Sequence, residues 1–131
     1  MKKYKTIYAD PPWRFKNFSE KGEGRNAISH YDCLTLADLK KLNIKRHADK
    51  DCALFMWVTD PMLDQGIELM KDWGFKFKTV AFYWAKTNTK VDLGKLSSEK
   101  DFFTGLGYWT RANCEQCIMG TIGNPKRKNK D

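Results

Sequence analysis

The sequence predicts an α/β fold built on a parallel sheet, and three observations carry that prediction. Short apolar runs recur at residues 6–9, 52–58 and 75–84, each with the brevity of a buried strand. A segment of helical periodicity lies between the second and third runs and stops at Gly74. Strand, helix and strand therefore follow one another at the spacing of right-handed crossover units.

Taken in order, residues 5–9 form a first strand that ends in Asp10-Pro11-Pro12-Trp13. Residues 14–30 show no periodicity; Arg14, Lys16, Lys21 and Arg25 alternate there with Phe15, Phe18 and glycines, as in a loop that closes over a polyanion. Thr35 caps a short helix with Leu36, Leu39 and Leu42 on one face and Asp38 in its first turn. Residues 43–51 read as a polar connection, and 52–58 as the second strand.

Asp60 is placed as the cap of the next helix with Pro61 at its first position, and Met62, Leu63, Ile67, Leu69, Met70 and Trp73 mark its apolar face. Residues 75–84 form the third strand. A second irregular segment, 87–107, is rich in Lys, Ser and Gly and is another candidate binding loop. Residues 115–122 read as a further strand, and 126–131 form a basic tail that adds nonspecific attraction for phosphates. With 131 residues and no internal repeat, the expectation is one domain over 1–131.

A net charge of +8 points to an acidic partner, nucleic acid first among them. The eighteen aromatic residues interleaved with Lys and Arg suit base stacking between phosphate contacts. The longest apolar run is too short to span a bilayer and the N-terminus lacks the apolar core of a signal peptide, so a cytoplasmic protein without membrane association is expected. Cys114 and Cys117 form a single Cys-x-x-Cys with no second ligand pair at matching spacing, while Cys33, Cys52, His30 and His47 sit in differently patterned segments. No metal site and no redox pair is expected, and the thiols are read as reduced. Without a glycine-rich phosphate loop, nucleoside triphosphate and nicotinamide chemistry have no support.

Asp10-Pro11-Pro12-Trp13 admits two readings. One is a rigid strand-to-loop turn, since X-Pro-Pro favours extended and turn conformations. The other is a site that holds a nucleobase amine. The exocyclic amine (N-6) of adenine is a poor nucleophile because its lone pair is delocalised into the ring. The Asp10 carboxylate and the Pro11 carbonyl can each accept one amine hydrogen, drawing the nitrogen toward a tetrahedral geometry, and Trp13 offers a face for an extruded base. Ligands of open α/β sheets sit at the carboxyl ends of strands, which places residues 10–13, 59–60 and 84–88 on one rim.

Five blocks extend this pattern: Asp10-Pro11-Pro12-Trp13, His30-Tyr31, Leu54 to Thr59, Trp84-Ala85-Lys86-Thr87-Asn88, and a run from Gly105 through Trp109, Arg111, Glu115, Gly120 and Gly123-Asn124-Pro125. In this order they resemble the S-adenosylmethionine-dependent adenine methyltransferases of the MT-A-seventy family. That family includes the catalytic subunit of the eukaryotic mRNA adenine methyltransferase and many compact bacterial and phage members. The resemblance implies a Rossmann-like methyltransferase fold, with Asp10, Pro11, Pro12 and Trp13 as the catalytic motif. It implies Tyr31, Trp84, Lys86, Arg111 and Glu115 on the substrate side, and Asp10 as a contact of the cofactor S-adenosylmethionine.

In that family the cofactor strand and a Lys-Pro block follow the Gly-Asn-Pro signature, whereas this chain stops six residues after Pro125. The expectation is therefore an incomplete fold: a parallel-sheet half without its C-terminal cofactor strands, with an unpaired edge that invites a partner chain or self-association. The implied reaction is methyl transfer to the adenine amine, with DNA favoured over RNA by analogy with compact bacterial and phage enzymes. The alternative is an inactive or split-enzyme remnant that acts only as a nucleic-acid-binding module.

Overall fold

The computed structural model describes residues 1–14 and 32–129. Tyr31 and the candidate loop at 14–30, apart from exposed Arg14, lie outside the described residues. Four strands, β1 (Tyr4–Ala9), β2 (Ala48–Val58), β3 (Lys76–Trp84) and β4 (Glu115–Ile122), form a mixed sheet in the order β1-β2-β4-β3. Two helices, α1 (Leu36–Lys41) and α2 (Leu63–Asp72), complete the α/β architecture among the described residues.

β1 pairs with β2 in parallel, with Ile7 opposite Leu54. β4 then enters between β2 and β3 and runs antiparallel to both, with Ile118 opposite Met56 and Val80. The expectation of a purely parallel sheet is corrected here. β1, β2 and β3 share a direction, but Trp84 at the end of β3 pairs with Glu115 at the start of β4, so their connection leaves and returns at the same rim. A crossover helix is needed only where the next strand restarts from the opposite end.

Local chemistry sets the element ends. The Thr35 hydroxyl accepts the Asp38 amide at the start of α1, as expected. Residues 43–51 are not a plain connection: Asn43 caps a single 3₁₀ turn (Ile44–His47), and β2 begins at Ala48. The start of the second helix also differs from expectation. Asp60 and Pro61 form a 3₁₀ turn (Asp60–Met62) behind Thr59, and α2 starts only at Leu63. At its other end Gly74, with φ +89°, donates to Lys71 O at 2.9 Å and Phe75 to Met70 O at 3.0 Å, two hydrogen bonds that turn the chain directly into β3.

Both helices cover one face of the sheet. Leu54, Met56 and Val58 of β2 and Ile118 of β4 meet Leu69, Met70 and Trp73, with Leu39 and Phe75 completing the core. The Trp73 indole donates to Leu39 O at 3.0 Å, and Lys40 pairs with Glu68, so α1 and α2 are joined to each other. The opposite face carries an aromatic layer. Phe55 stacks on Phe82 at 5.9 Å between ring centroids, and Trp57 meets Trp84 edge-on at 6.3 Å. Tyr8, Phe82 and Trp84 in this layer are exposed. No helix among the described residues is long and apolar enough to cross a membrane.

Candidate active site

Side-chain alternation decides what reaches the rim. In β1, Ile7 and Ala9 pack against the core while Tyr8 is exposed, so Asp10 follows on the aromatic face. In β2, Met56 and Val58 point inward and Trp57 outward, and its indole donates to the Tyr8 hydroxyl. β4 brings Glu115 and buried Cys117 to the same face, Cys117 opposite Trp57 and Phe82.

Two electrostatic effects couple Asp10 to this group. Partial withdrawal from water raises the Asp10 pKa above its ordinary value, and the negative charge of Glu115 raises it further. Burial pushes the Cys117 thiol up, and the charge of Asp10 adds to that shift. The Asp10 carboxylate makes no hydrogen bond or ion pair among the described residues. It is exposed at the end of β1 and open to another donor.

The two residues after Asp10 hold it there. Pro11 is buried, and its carbonyl accepts the Trp13 amide at 2.8 Å, leaving one lone pair for another donor. The Pro12 carbonyl accepts the Leu34 amide at 2.9 Å. Trp13 is only 5% exposed and its indole nitrogen donates to Trp57 O at 2.9 Å. The expected stacking face on Trp13 is therefore corrected: its ring is packed inside the core. Tyr8, Trp57 and Trp84 provide the aromatic surface beside Asp10 instead.

Trp84, Lys86 and Glu115, expected on the substrate side, are brought together. The Lys86 ammonium sits 5.2 Å from the Trp84 ring centroid and pairs with Glu115, both side chains about 30% exposed. Asn113 fixes Lys86 from behind: its Oδ1 accepts the Lys86 amide at 2.9 Å and its Nδ2 donates to Lys86 O at 2.7 Å. Arg111 is exposed, and among the described residues no hydrogen bond or ion pair joins it to this group. The expected candidate loop at 87–107 ends inside a small hairpin, because Gly105 and Ala112 pair with each other.

Sequence reasoning missed Tyr8, Trp57 and Asn113. Trp57 lies in an unbroken apolar run, which reads as buried on both faces; the signal available was Tyr8, an amphipathic residue between Ile7 and Ala9. No group of three or more metal-ligating side chains is assembled among the described residues. The exposed Asp10 carboxylate, unpaired among the described residues and under the negative charge of Glu115, fits a cationic group such as the ammonium or sulfonium of S-adenosylmethionine.

Comparison with known proteins finds relatives over most of the chain. The chain is 38% identical over 100 residues to the type II methyltransferase M.MunI from a Mycoplasma species, covering 65% of this chain and 43% of that protein. It is 30% identical to the N(6)-adenosine-methyltransferase subunit METTL3 of Danio rerio, covering 98% of this chain and 19% of that protein. The human catalytic subunit METTL3 is 30% identical over 125 residues, covering 95% and 18%. The chain thus spans less than half the length of these relatives. The family model MT-A70 matches residues 4–131, and the chain belongs to that family.

Proposed function

We propose that this chain is an S-adenosylmethionine-dependent methyltransferase acting on the exocyclic amine of adenine in nucleic acid, DNA favoured over RNA. The observation that carries the proposal is the exposed Asp10 carboxylate, unpaired among the described residues and under the charge of Glu115, which itself joins Lys86 and Trp84. Membership of the MT-A70 family and relatives named N(6)-adenosine-methyltransferases support it. The strand order β1-β2-β4-β3, with β4 reversed, is compatible with half of a Rossmann-like sheet.

When bound, S-adenosylmethionine supplies an electrophilic methyl group. Asp10 would face its ammonium or the target amine. Asp10 and the free lone pair of the Pro11 carbonyl accept the two hydrogens of the adenine amine, which localises the nitrogen lone pair for attack. The Trp13–Trp57 hydrogen bond keeps both acceptors in register. Tyr8, Trp57 and Trp84 present ring faces to the base, and Lys86 sets positive charge beside them for the phosphate backbone. A methyl-transfer assay on adenine-containing DNA and RNA strands, comparing the chain with its Asp10→Ala variant, tests this reading; unchanged turnover would sink it.

A second reading is favoured by the net charge of +8. In it the chain keeps the substrate rim and binds nucleic acid without binding cofactor. Calorimetry with S-adenosylmethionine separates the two. Stoichiometric binding by the chain alone contradicts the second reading.

A further inference from the structure

The hairpin between β3 and β4 carries the most exposed large apolar side chain among the described residues. Its base is closed by Gly105 N to Ala112 O at 2.7 Å and Ala112 N to Gly105 O at 3.2 Å. At its tip the Thr110 amide donates to Tyr108 O at 2.7 Å, a three-residue turn centred on Trp109 at φ +66°. This left-handed turn is strained for a bulky residue. Gly107 is needed for it to close, because a Cβ there would lie 2.1 Å from the Thr110 carbonyl oxygen. The indole displayed by this strain is 104% exposed, so it contributes nothing to packing within the fold. Strain maintained for a fully solvated aromatic points outward, to a ligand.

The hairpin is also fastened to the candidate site. Asn113, the residue after its base, donates Nδ2 to both Lys86 O and Phe103 O while accepting the Lys86 amide. Lys86 in turn pairs with Glu115 at the rim. Whatever Trp109 touches is held at a set position relative to the side chains around Asp10.

We propose that Trp109 is a stacking platform for an unpaired nucleobase of the same strand whose adenine is presented at the rim, with Arg111 following the phosphates beside it. This rests on the nucleic-acid reading above. An indole face accepts any base, because every base has a π-face, so the contact holds the strand without reading its sequence. Exposed Arg111 adds the charge contact that strand binding requires.

The test is fluorescence anisotropy of the full chain with a labelled single-stranded adenine-containing oligonucleotide, comparing wild type, Trp109→Ala and Trp109→Phe, with circular dichroism to verify folding. The Ala variant is expected to weaken binding by about 5- to 100-fold and the Phe variant by far less. A 2-aminopurine in the strand should be quenched by wild type and lose that quenching with Trp109→Ala. If wild type binds and both variants match it, stacking is overturned while the nucleic-acid reading stands. If wild type binds neither DNA nor RNA strands, both fall. A wild-type dimer in sedimentation that Trp109→Ala dissociates, with oligonucleotide affinity unchanged, assigns the tip to self-association and also overturns stacking.

Discussion

The indole nitrogen of Trp13 donates to the carbonyl oxygen of Trp57 at 2.9 Å, tying the turn after Asp10 to the neighbouring strand β2. Trp13 is buried, so loss of this bond leaves a desolvated carbonyl without a partner. Trp13→Phe is expected to cost about 1–3 kcal/mol in urea unfolding. Trp13→Ala, which also opens a cavity, is expected to cost about 3–5 kcal/mol. Equal midpoints for the Phe variant and wild type would show that the bond does not hold the turn.

The raised pKa of Asp10 has a definite sign in stability. Folding favours the protonated form, so the native state binds more protons than the unfolded chain between the ordinary value of 3.8 and the higher folded value. Stability should fall as pH rises through that window and stay lower above it. Asp10→Asn removes this slope and makes the protein slightly more stable at neutral pH. Denaturant titrations of both forms across the acidic range measure the difference. A variant less stable than wild type at pH 7 contradicts it.

Glu115 is the second cause of that shift, after desolvation. Removing its charge in Glu115→Gln should move the acid limb of Asp10-dependent methyl transfer to lower pH, without bringing it back to the ordinary carboxylate value. Its pair with Lys86, both side chains about 30% exposed, is worth at most about 1 kcal/mol, so the fold should survive the change. A limb that stays in place or moves upward would show that Glu115 does not act on Asp10.

Gly120 in β4 has no room for a side chain. An added Cβ would meet Met70 Sδ at 2.4 Å and the Lys76 carbonyl oxygen at 3.0 Å. Met70 can shift, but the backbone of β3 cannot easily do so. Gly120→Ala is expected to destabilise by about 1–3 kcal/mol. Thermal unfolding checks this, and the double variant Gly120→Ala with Met70→Ala should not recover the full loss, since the carbonyl contact persists.

Much of the fold was legible because its signals are local. Thr35 and Gly74 end their helices through their own hydroxyl and φ, and the run from Glu115 to Ile122 coincides with β4. The direction of β4 was not legible. It depends on where the segment at 85–114 returns the chain, which no local periodicity records. Asp10 was singled out by its motif at a strand end, and Trp84, Lys86 and Glu115 by the family resemblance; that the last three meet in space was not written in any one stretch. The burial of Trp13 was not legible, because an aromatic after a turn looks the same whether its ring faces a ligand or the core. Trp57 was hidden for the converse reason: one apolar run serves a packed face and an open one.

The most direct measurement is transfer of labelled methyl from S-adenosylmethionine to an adenine-containing strand, with wild type and Asp10→Ala assayed side by side. The proposed site predicts label on adenine N-6 with wild type and a loss of at least about 100-fold in the variant, in the range typical for removing one group that stabilises a transition state. Equal labelling by the two proteins would contradict it, since Asp10 would then play no part in holding the amine.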